Sequence, residues 1–169
     1  MENKSENQRL ANIVEEIAYS KSYADRKKKL AEAYIVSLKK KNSFQPKLRS
    51  HVQKKCKKEF DLLEKDSADK RKDIANEMAF ETCSTENDFG YYNYFRKVRT
   101  DMINYDKNNQ KCFFNCAENS TTKTDDEIKS CFNICINNTF TQKEQTYRET
   151  YSKIDEFEIE KMIWEIKLF

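Results

Sequence analysis

Apolar side chains recur every three or four positions along most of the chain, which is the period of an amphipathic helix. The first stripe predicts one helix over residues 6–41, and the second predicts another from residue 46 to about 82. A break is predicted at 42–46, because the residue before Pro46 is disfavoured in helical geometry. The chain has one glycine and one proline, so few residues interrupt helices. The pattern therefore predicts an all-α protein that begins with a long helical hairpin.

Two further helices follow a break at residues 84–90, which contains the only glycine. The third carries a regular stripe from Tyr91 to Cys116, and the fourth begins at about residue 125. Thr124 and Glu127 have the spacing of a capping box, which is typical of a helix start. The polar loop between these helices is short, so they are expected to fold back antiparallel.

Four of the six cysteines form two C-x3-C pairs, Cys112-Phe-Phe-Asn-Cys116 and Cys131-Phe-Asn-Ile-Cys135, with fourteen residues between them. Residues four apart lie on one face of a helix, so each pair presents two thiols on one side. In an antiparallel hairpin Cys116 then faces Cys131 near the loop, and Cys112 faces Cys135 one turn further out. This arrangement predicts two nested disulfides, each worth roughly 3 kcal/mol on the chain-entropy model.

Zinc is the alternative ligand for four thiolates, but structural zinc sites usually use C-x2-C knuckles on turns. A redox pair would typically be C-x-x-C beside a βαβ pattern, which this chain lacks. Cys56 lies on the second apolar stripe, as expected for a buried thiol. If 46–82 is one helix, Cys56 and Cys83 are roughly 40 Å apart. Both are expected to be free, unless the helix breaks near Asp66 and folds back.

The last residues are the most apolar part of the chain, and the pattern does not decide between helix and strand over 157–169. Exposed apolar surface of this kind usually marks a contact with a partner. The alternative is that the tail packs on the chain's own N-terminal helices. The candidate partner contacts lie at the start of the third stripe and in the tail: Tyr91, Phe95, Val98, Trp164, Ile166, Leu168 and Phe169.

Composition narrows the function classes. The net charge is +3, which does not suggest a nucleic-acid partner. No stretch approaches about eighteen apolar residues, so no transmembrane helix is expected. We find no Gly-rich phosphate loop, catalytic triad or cofactor motif, so the sequence predicts neither an enzyme nor a cofactor. The cysteine pattern suits an oxidising compartment. Because no signal peptide or presequence is visible, the expected location is the mitochondrial intermembrane space, peripheral to the inner membrane.

The twin C-x3-C motif, its spacer and the flanking helices resemble the small Tim family over roughly residues 88–158. The resemblance implies a disulfide-stapled helix-loop-helix hairpin and the pairs Cys112–Cys135 and Cys116–Cys131. It also implies a six-membered ring with other small-Tim-like subunits. The expected segments are a helical arm over 1–83, the hairpin over 84–158 and an apolar tail over 159–169.

Small Tim proteins are about half this length, and the apolar end is also unlike theirs. Both differences favour a fixed interface over adaptable client binding. The expected function is therefore a non-enzymatic structural or accessory subunit of a mitochondrial inner-membrane complex, with a respiratory complex as the first choice. Such a subunit would be membrane-associated through its partners. The alternatives are a ring chaperone that escorts hydrophobic precursors and a secreted disulfide hairpin peptide.

Overall fold

The computed structural model describes residues 2–64 and 69–167, and this part of the chain is helical, with no strand. The all-α fold class is therefore confirmed. The helices are α1 (Glu2–Ala18), α2 (Lys21–Lys55), α3 (Lys57–Leu63), α4 (Lys70–Glu86), α5 (Tyr91–Ala117) and α6 (Asp125–Lys167). A short 3₁₀ turn, Ser120–Thr122, lies between α5 and α6. Within the described ranges, no helix combines the length and apolarity needed to cross a membrane.

The prediction of one helix over 6–41 is wrong, because α1 and α2 are separated at Tyr19 and Ser20. The Ser20 hydroxyl donates to the Ile17 carbonyl at 2.7 Å and accepts from the Tyr23 amide at 3.2 Å. Serine side chains compete with the helix ladder through local bonds of this kind and favour helix starts. The break therefore comes from one side chain that the apolar pattern does not reveal.

The predicted break at 42–46 is also wrong, because Pro46 lies inside α2. Proline lacks the N–H that would donate to the Asn42 carbonyl, which normally disfavours an uninterrupted helix. Phe44, Leu48 and Val52 flank it and are buried in one apolar cluster. Burial of these three side chains offsets the missing hydrogen bond, since each buried large apolar side chain contributes about 1.5–3 kcal/mol. The predicted N-terminal hairpin therefore does not turn at this proline.

The chain forms two compact units, and each combines separate stretches of sequence. Unit 1 consists of Met1–Val36 and Arg99–Arg148, and unit 2 consists of Ser37–Val98 and Glu149–Phe169. The predicted segments 1–83, 84–158 and 159–169 follow sequence order instead. Helices α2, α5 and α6 each contribute residues to both units, so a unit cannot be recognised from a linear stretch of the chain.

Unit 1 combines α1 with the parts of α5 and α6 that form the disulfide-linked hairpin. Its buried core is drawn from α1, α5 and α6: Ile13, Ile17, Cys116, Ile128, Phe132 and Cys135. The first part of α2 continues beside α6, where Arg26 donates to the Thr141 hydroxyl at 2.8 Å. The N-terminal helix therefore covers the face that carries the cysteines.

Unit 2 has an aromatic core. Phe157 of α6 is 2% exposed. Its ring centroid lies 6.4 Å from that of Phe44, 5.7 Å from Tyr91 and 6.0 Å from Tyr94. Aromatic side chains bury large areas and prefer such offset or tilted contacts. This ring cluster joins α2, α5 and α6 within the unit.

The start of α5 is fixed by the loop at 87–90. Phe89 and Gly90 both have positive φ, at 61° and 82°. The buried Asp88 carboxylate accepts from the amides of Gly90 and Tyr92, both at 3.0 Å. This carboxylate satisfies amides at the N-terminus of α5 that have no partner within the helix.

Replacing Phe157 with alanine is expected to lower the free energy of unfolding by about 3–5 kcal/mol, because a large ring is removed from a packed core. Ile159→Ala is the matched control on the same helix, since Ile159 is 57% exposed and should change stability by less than about 0.5 kcal/mol. Urea denaturation followed by circular dichroism measures both. Equal effects of the two substitutions would show that Phe157 is not a core residue.

Candidate functional site: the disulfide-linked helical hairpin

The candidate site is the part of unit 1 where α5 and α6 are joined by two disulfides. Cys112 is bonded to Cys135 with the Cα atoms 5.8 Å apart, and Cys116 is bonded to Cys131 with the Cα atoms 5.7 Å apart. These are the pairs predicted from the spacing of the two C-x3-C motifs. Both Cα distances are ordinary for a disulfide.

The two disulfides are adjacent to each other in the hairpin. The Sγ atoms of Cys116 and Cys135, which belong to different bonds, are 3.6 Å apart. These two residues are each 1% exposed, whereas Cys112 and Cys131 are half-buried. Next to them the rings of Phe113 and Phe132 pack with centroids 4.8 Å apart. The inner sulfur atoms are therefore shielded from solvent by apolar groups.

Helix α1 covers this face of the hairpin. Ile13 and Ile17 are 4% and 2% exposed and belong to the same cluster as Cys116 and Cys135. The first apolar stripe thus packs on the disulfides. A two-helix hairpin buries side chains only along the narrow seam between its helices. A third helix, here α1, is needed to cover the side of the sulfur atoms that this seam leaves open.

Arg9 fixes α1 to the loop of the hairpin. Its guanidinium donates to the carbonyls of Ser120 and Lys123, at 2.9 and 2.7 Å, and to the Asp125 carboxylate at 2.5 Å. Glu6 accepts from the Ser120 hydroxyl at 2.5 Å. A guanidinium has five N–H donors, so one arginine can bind several acceptors at once. The sequence pattern did not identify Arg9, because a single arginine on a helix gives no signal.

The beginning of α6 follows the prediction. The Glu127 amide donates to the Thr124 hydroxyl at 3.2 Å, so Thr124 caps the helix. Asp125, Asp126 and Glu127 occupy its first turn, where negative charge is favoured by the helix dipole.

The expectation that Cys56 and Cys83 are free is wrong. They form a third disulfide, in unit 2, with the Cα atoms 6.0 Å apart. The chain reverses between the end of α3 at Leu63 and the start of α4 at Lys70. The separation along one continuous helix therefore does not apply; the predicted fold-back point, Asp66, lies outside the described residues.

Two groups of cysteines lie close enough together to be considered as metal ligands. The sulfur atoms of Cys112, Cys116 and Cys135 lie within 4.8 Å of one another, as do ligand atoms of Cys56, Glu59 and Cys83. Metals bind the thiolate form of cysteine, and each of these sulfur atoms is in a disulfide. The oxidised hairpin is thus a structural crosslink, and metal binding would first require reduction.

The candidate partner contacts fall into two groups. Tyr91 and Phe95 pack with each other and into the core of unit 2, with centroids 4.6 Å apart, and burial raises the pKa of Tyr91 to about 12. Val98 is half-buried.

The second group lies in the tail. Trp164 and Ile166 are 50% and 69% exposed on α6, which is helical to Lys167. Leu168 and Phe169 lie outside the described residues.

Helix α6 also carries an exposed apolar stripe that the sequence pattern did not identify as one surface. Ile159, Met162, Ile163 and Ile166 are 57%, 58%, 46% and 69% exposed. Their spacing of i, i+3, i+4 and i+7 places them on one face of the helix. Phe157, two residues earlier, is buried, so both faces of this segment are apolar. That is why its periodicity did not indicate which face is exposed.

Removing one staple should destabilise the hairpin. The double substitution Cys116→Ala/Cys131→Ala opens a loop with a sequence separation of 15 and should lower the free energy of unfolding by about 3 kcal/mol. Cys56→Ala/Cys83→Ala is the control for the pairing, because it should leave both hairpin disulfides intact; its own loop has a sequence separation of 27, so it should cost a similar amount of stability. Peptide mapping without reduction checks the remaining pairs, and urea denaturation measures stability. Cys112 paired with any residue other than Cys135 would contradict the nested arrangement.

Comparison with known proteins does not assign the chain to a family. No family model matches it, and neither a curated protein nor a solved structure is significantly similar to it. The resemblance to the small Tim family therefore remains a hypothesis based on the spacing of four cysteines in a helical context.

Proposed function

We propose that the chain is a non-enzymatic, small-Tim-like structural subunit of a mitochondrial inner-membrane complex, with a respiratory complex as the first choice. In this proposal it forms part of a hetero-oligomeric ring on the intermembrane-space side of the membrane. The observation that carries the proposal is the helical hairpin with nested disulfides, Cys112–Cys135 and Cys116–Cys131. Two stacked bonds between antiparallel helices are what the small Tim resemblance implies.

A structural role is supported by the positions of the cysteine and histidine side chains. The six cysteines are all in disulfides. The chain's one histidine, His51, is 8% exposed and packs on the ring of Phe89, with centroids 5.0 Å apart. Thiols and imidazoles are the usual nucleophiles and bases of catalytic sites. In this chain the thiols are all used in crosslinks, and the one imidazole packs on an aromatic ring.

Ring formation is supported by apolar residues on the outer surface of the hairpin. Phe114 is 72% exposed on α5, and Ile134 is 57% exposed on α6. Both lie inside a C-x3-C motif, next to the residues that bond the two helices. Side chains as large as these are favourable contact points for a neighbouring subunit.

A fixed interface is supported by the stripe Ile159, Met162, Ile163 and Ile166. Its four members present contiguous apolar surface on a regular helix. A helix face with this spacing suits a hydrophobic groove on a partner, because side chains at i, i+3, i+4 and i+7 can all insert into the same groove. A permanent partner would keep this surface out of water.

The proposed compartment is the mitochondrial intermembrane space. Three disulfides suit an oxidising compartment, because reducing compartments keep cysteines as thiols. The resemblance to the small Tim family then selects this compartment over the secretory route.

The second candidate is a ring chaperone for hydrophobic precursors. Phe114 and Ile134 favour it as well, because exposed apolar side chains on a stapled hairpin would also contact an unfolded apolar client. The two candidates differ in occupancy: a subunit keeps one partner, whereas a chaperone exchanges clients.

Native electrophoresis of mitochondrial membranes in mild detergent tests the proposal. The chain should co-migrate with a large inner-membrane complex at steady state, and Ile163→Asp/Ile166→Asp should release it, because two charges would have to be buried in the interface. Glu156→Gln/Glu160→Gln changes exposed positions on the same helix outside the stripe, and this control should leave the chain in the complex.

Other outcomes identify the alternatives. A small ring running alone, with import precursors crosslinked to Phe114 or Ile134, would replace the subunit proposal with the chaperone. Recovery of the chain from the culture medium would contradict both and indicate a secreted hairpin peptide.

A further inference from the structure

A basic cavity lies in unit 2. It has a volume of about 540 Å³ and is bounded by α2 and α6. Lys47, His51 and Lys54 have the spacing i, i+4 and i+7, which places them on one face of α2. The cavity is lined by Lys47, Ser50, His51, Lys54, Lys55, Lys161 and Glu165.

Positive charge in this cavity is only partly neutralised. Four ammonium groups face one carboxylate, and that carboxylate, Glu165, is paired with Lys161. Lys55 lies over the ring of Trp164, 5.2 Å from its centroid. Neither Lys47 nor Lys54 forms an ion pair with any side chain in the part of the chain that the structure describes.

The electrostatic field of the cavity acts on its titratable groups. Burial lowers the pKa of His51, and the ammonium groups of Lys161 and Lys55 lower it further, while Glu165 opposes them. The hydrogen bond from Lys161 lowers the pKa of Glu165, and the neighbouring positive charges act in the same direction. An added anion would relieve the repulsion at His51 and raise its pKa.

We propose that this cavity binds the phosphate group of an anionic ligand. Lysine ammonium groups bind phosphate as point charges, and converging donors strengthen such contacts. The Ser50 hydroxyl and the His51 imidazole add hydrogen-bonding groups at the same wall. The volume falls within the range of small-molecule sites, so a single phosphate, a diphosphate or a lipid headgroup would fit.

Two sources can supply that group, a soluble phosphate compound or an anionic phospholipid. Half-exposed Trp164 beside Lys55 suits the second, because tryptophan and lysine are favoured at the interface of a membrane. The exposed stripe Ile159, Met162, Ile163 and Ile166 lies on the opposite side of α6 from Lys161 and remains available to a protein partner. The site is thus independent of the proposed subunit function.

The test uses the purified oxidised protein at constant ionic strength. Because the chain has one histidine, its imidazole signal in NMR reports this cavity alone. Titration with pyrophosphate should shift the signal to saturation and raise the pKa of His51. A parallel arm measures co-sedimentation with phosphatidylcholine vesicles that contain or lack phosphatidylglycerol.

Lys47→Gln/Lys54→Gln should weaken the binding by at least about tenfold. Lys39→Gln/Lys58→Gln removes the same charge from exposed positions outside the cavity and should change it less than about twofold. Circular dichroism confirms that both variants are folded.

Saturable binding of pyrophosphate that is lost in the cavity variant assigns a soluble phosphate ligand. Binding only to vesicles with phosphatidylglycerol, lost in the same variant, assigns a lipid headgroup. The proposal is overturned if neither probe binds, or if the control variant loses binding as much as the cavity variant does. The latter result would mean that net charge alone attracts the anion.

Discussion

The register between α5 and α6 is set by two covalent bonds that lie one helical turn apart, and the packing of unit 1 depends on it. A single crosslink would allow the helices to rotate about it, whereas two successive crosslinks fix both position and angle. With this register, Phe113 meets Phe132 and the Tyr105 and Thr146 hydroxyls lie 3.0 Å apart. Helix α1 completes the unit, because Ile13 and Ile17 bury the sulfur atoms on the side that the hairpin leaves open.

In unit 2 the helices are also held together by a disulfide and apolar packing, but with one crosslink instead of two. Its disulfide, Cys56–Cys83, joins α3 to α4 across the reversal after Leu63, and Phe60 and Phe80 pack between these helices with centroids 5.8 Å apart. The ring cluster around Phe157 supplies the rest of the core. This packing uses one face of α6 and leaves another apolar face exposed. The proposed roles of the chain, an interface stripe and a phosphate site, both lie on the end of α6 that this core holds in place.

The parts of the fold that the sequence predicted are those decided by local chemistry. The stripe from Tyr91 to Cys116, the cap at Thr124 and the facing of the two C-x3-C motifs follow from helix geometry. The errors occur where distant contacts decide the outcome. Pro46 stays in a helix because Phe44 and Leu48 are buried, and Cys83 meets Cys56 because the chain reverses after Leu63. Arg9 binds the loop before α6, and the lysine cavity adds Lys161 and Glu165 of α6 to a cluster on α2, so both depend on contacts that no local pattern identifies.

Hydrogen–deuterium exchange before and after reduction of the disulfides tests most directly whether the staples determine the fold. Reduction should accelerate exchange across residues 99–117 and 125–148, and also in α1, because α1 packs on the bonded face. Slow exchange before reduction is expected in the same segments. If the reduced protein kept the protection pattern of the oxidised protein, apolar packing alone would hold the hairpin. The disulfides would then be accessory to the fold.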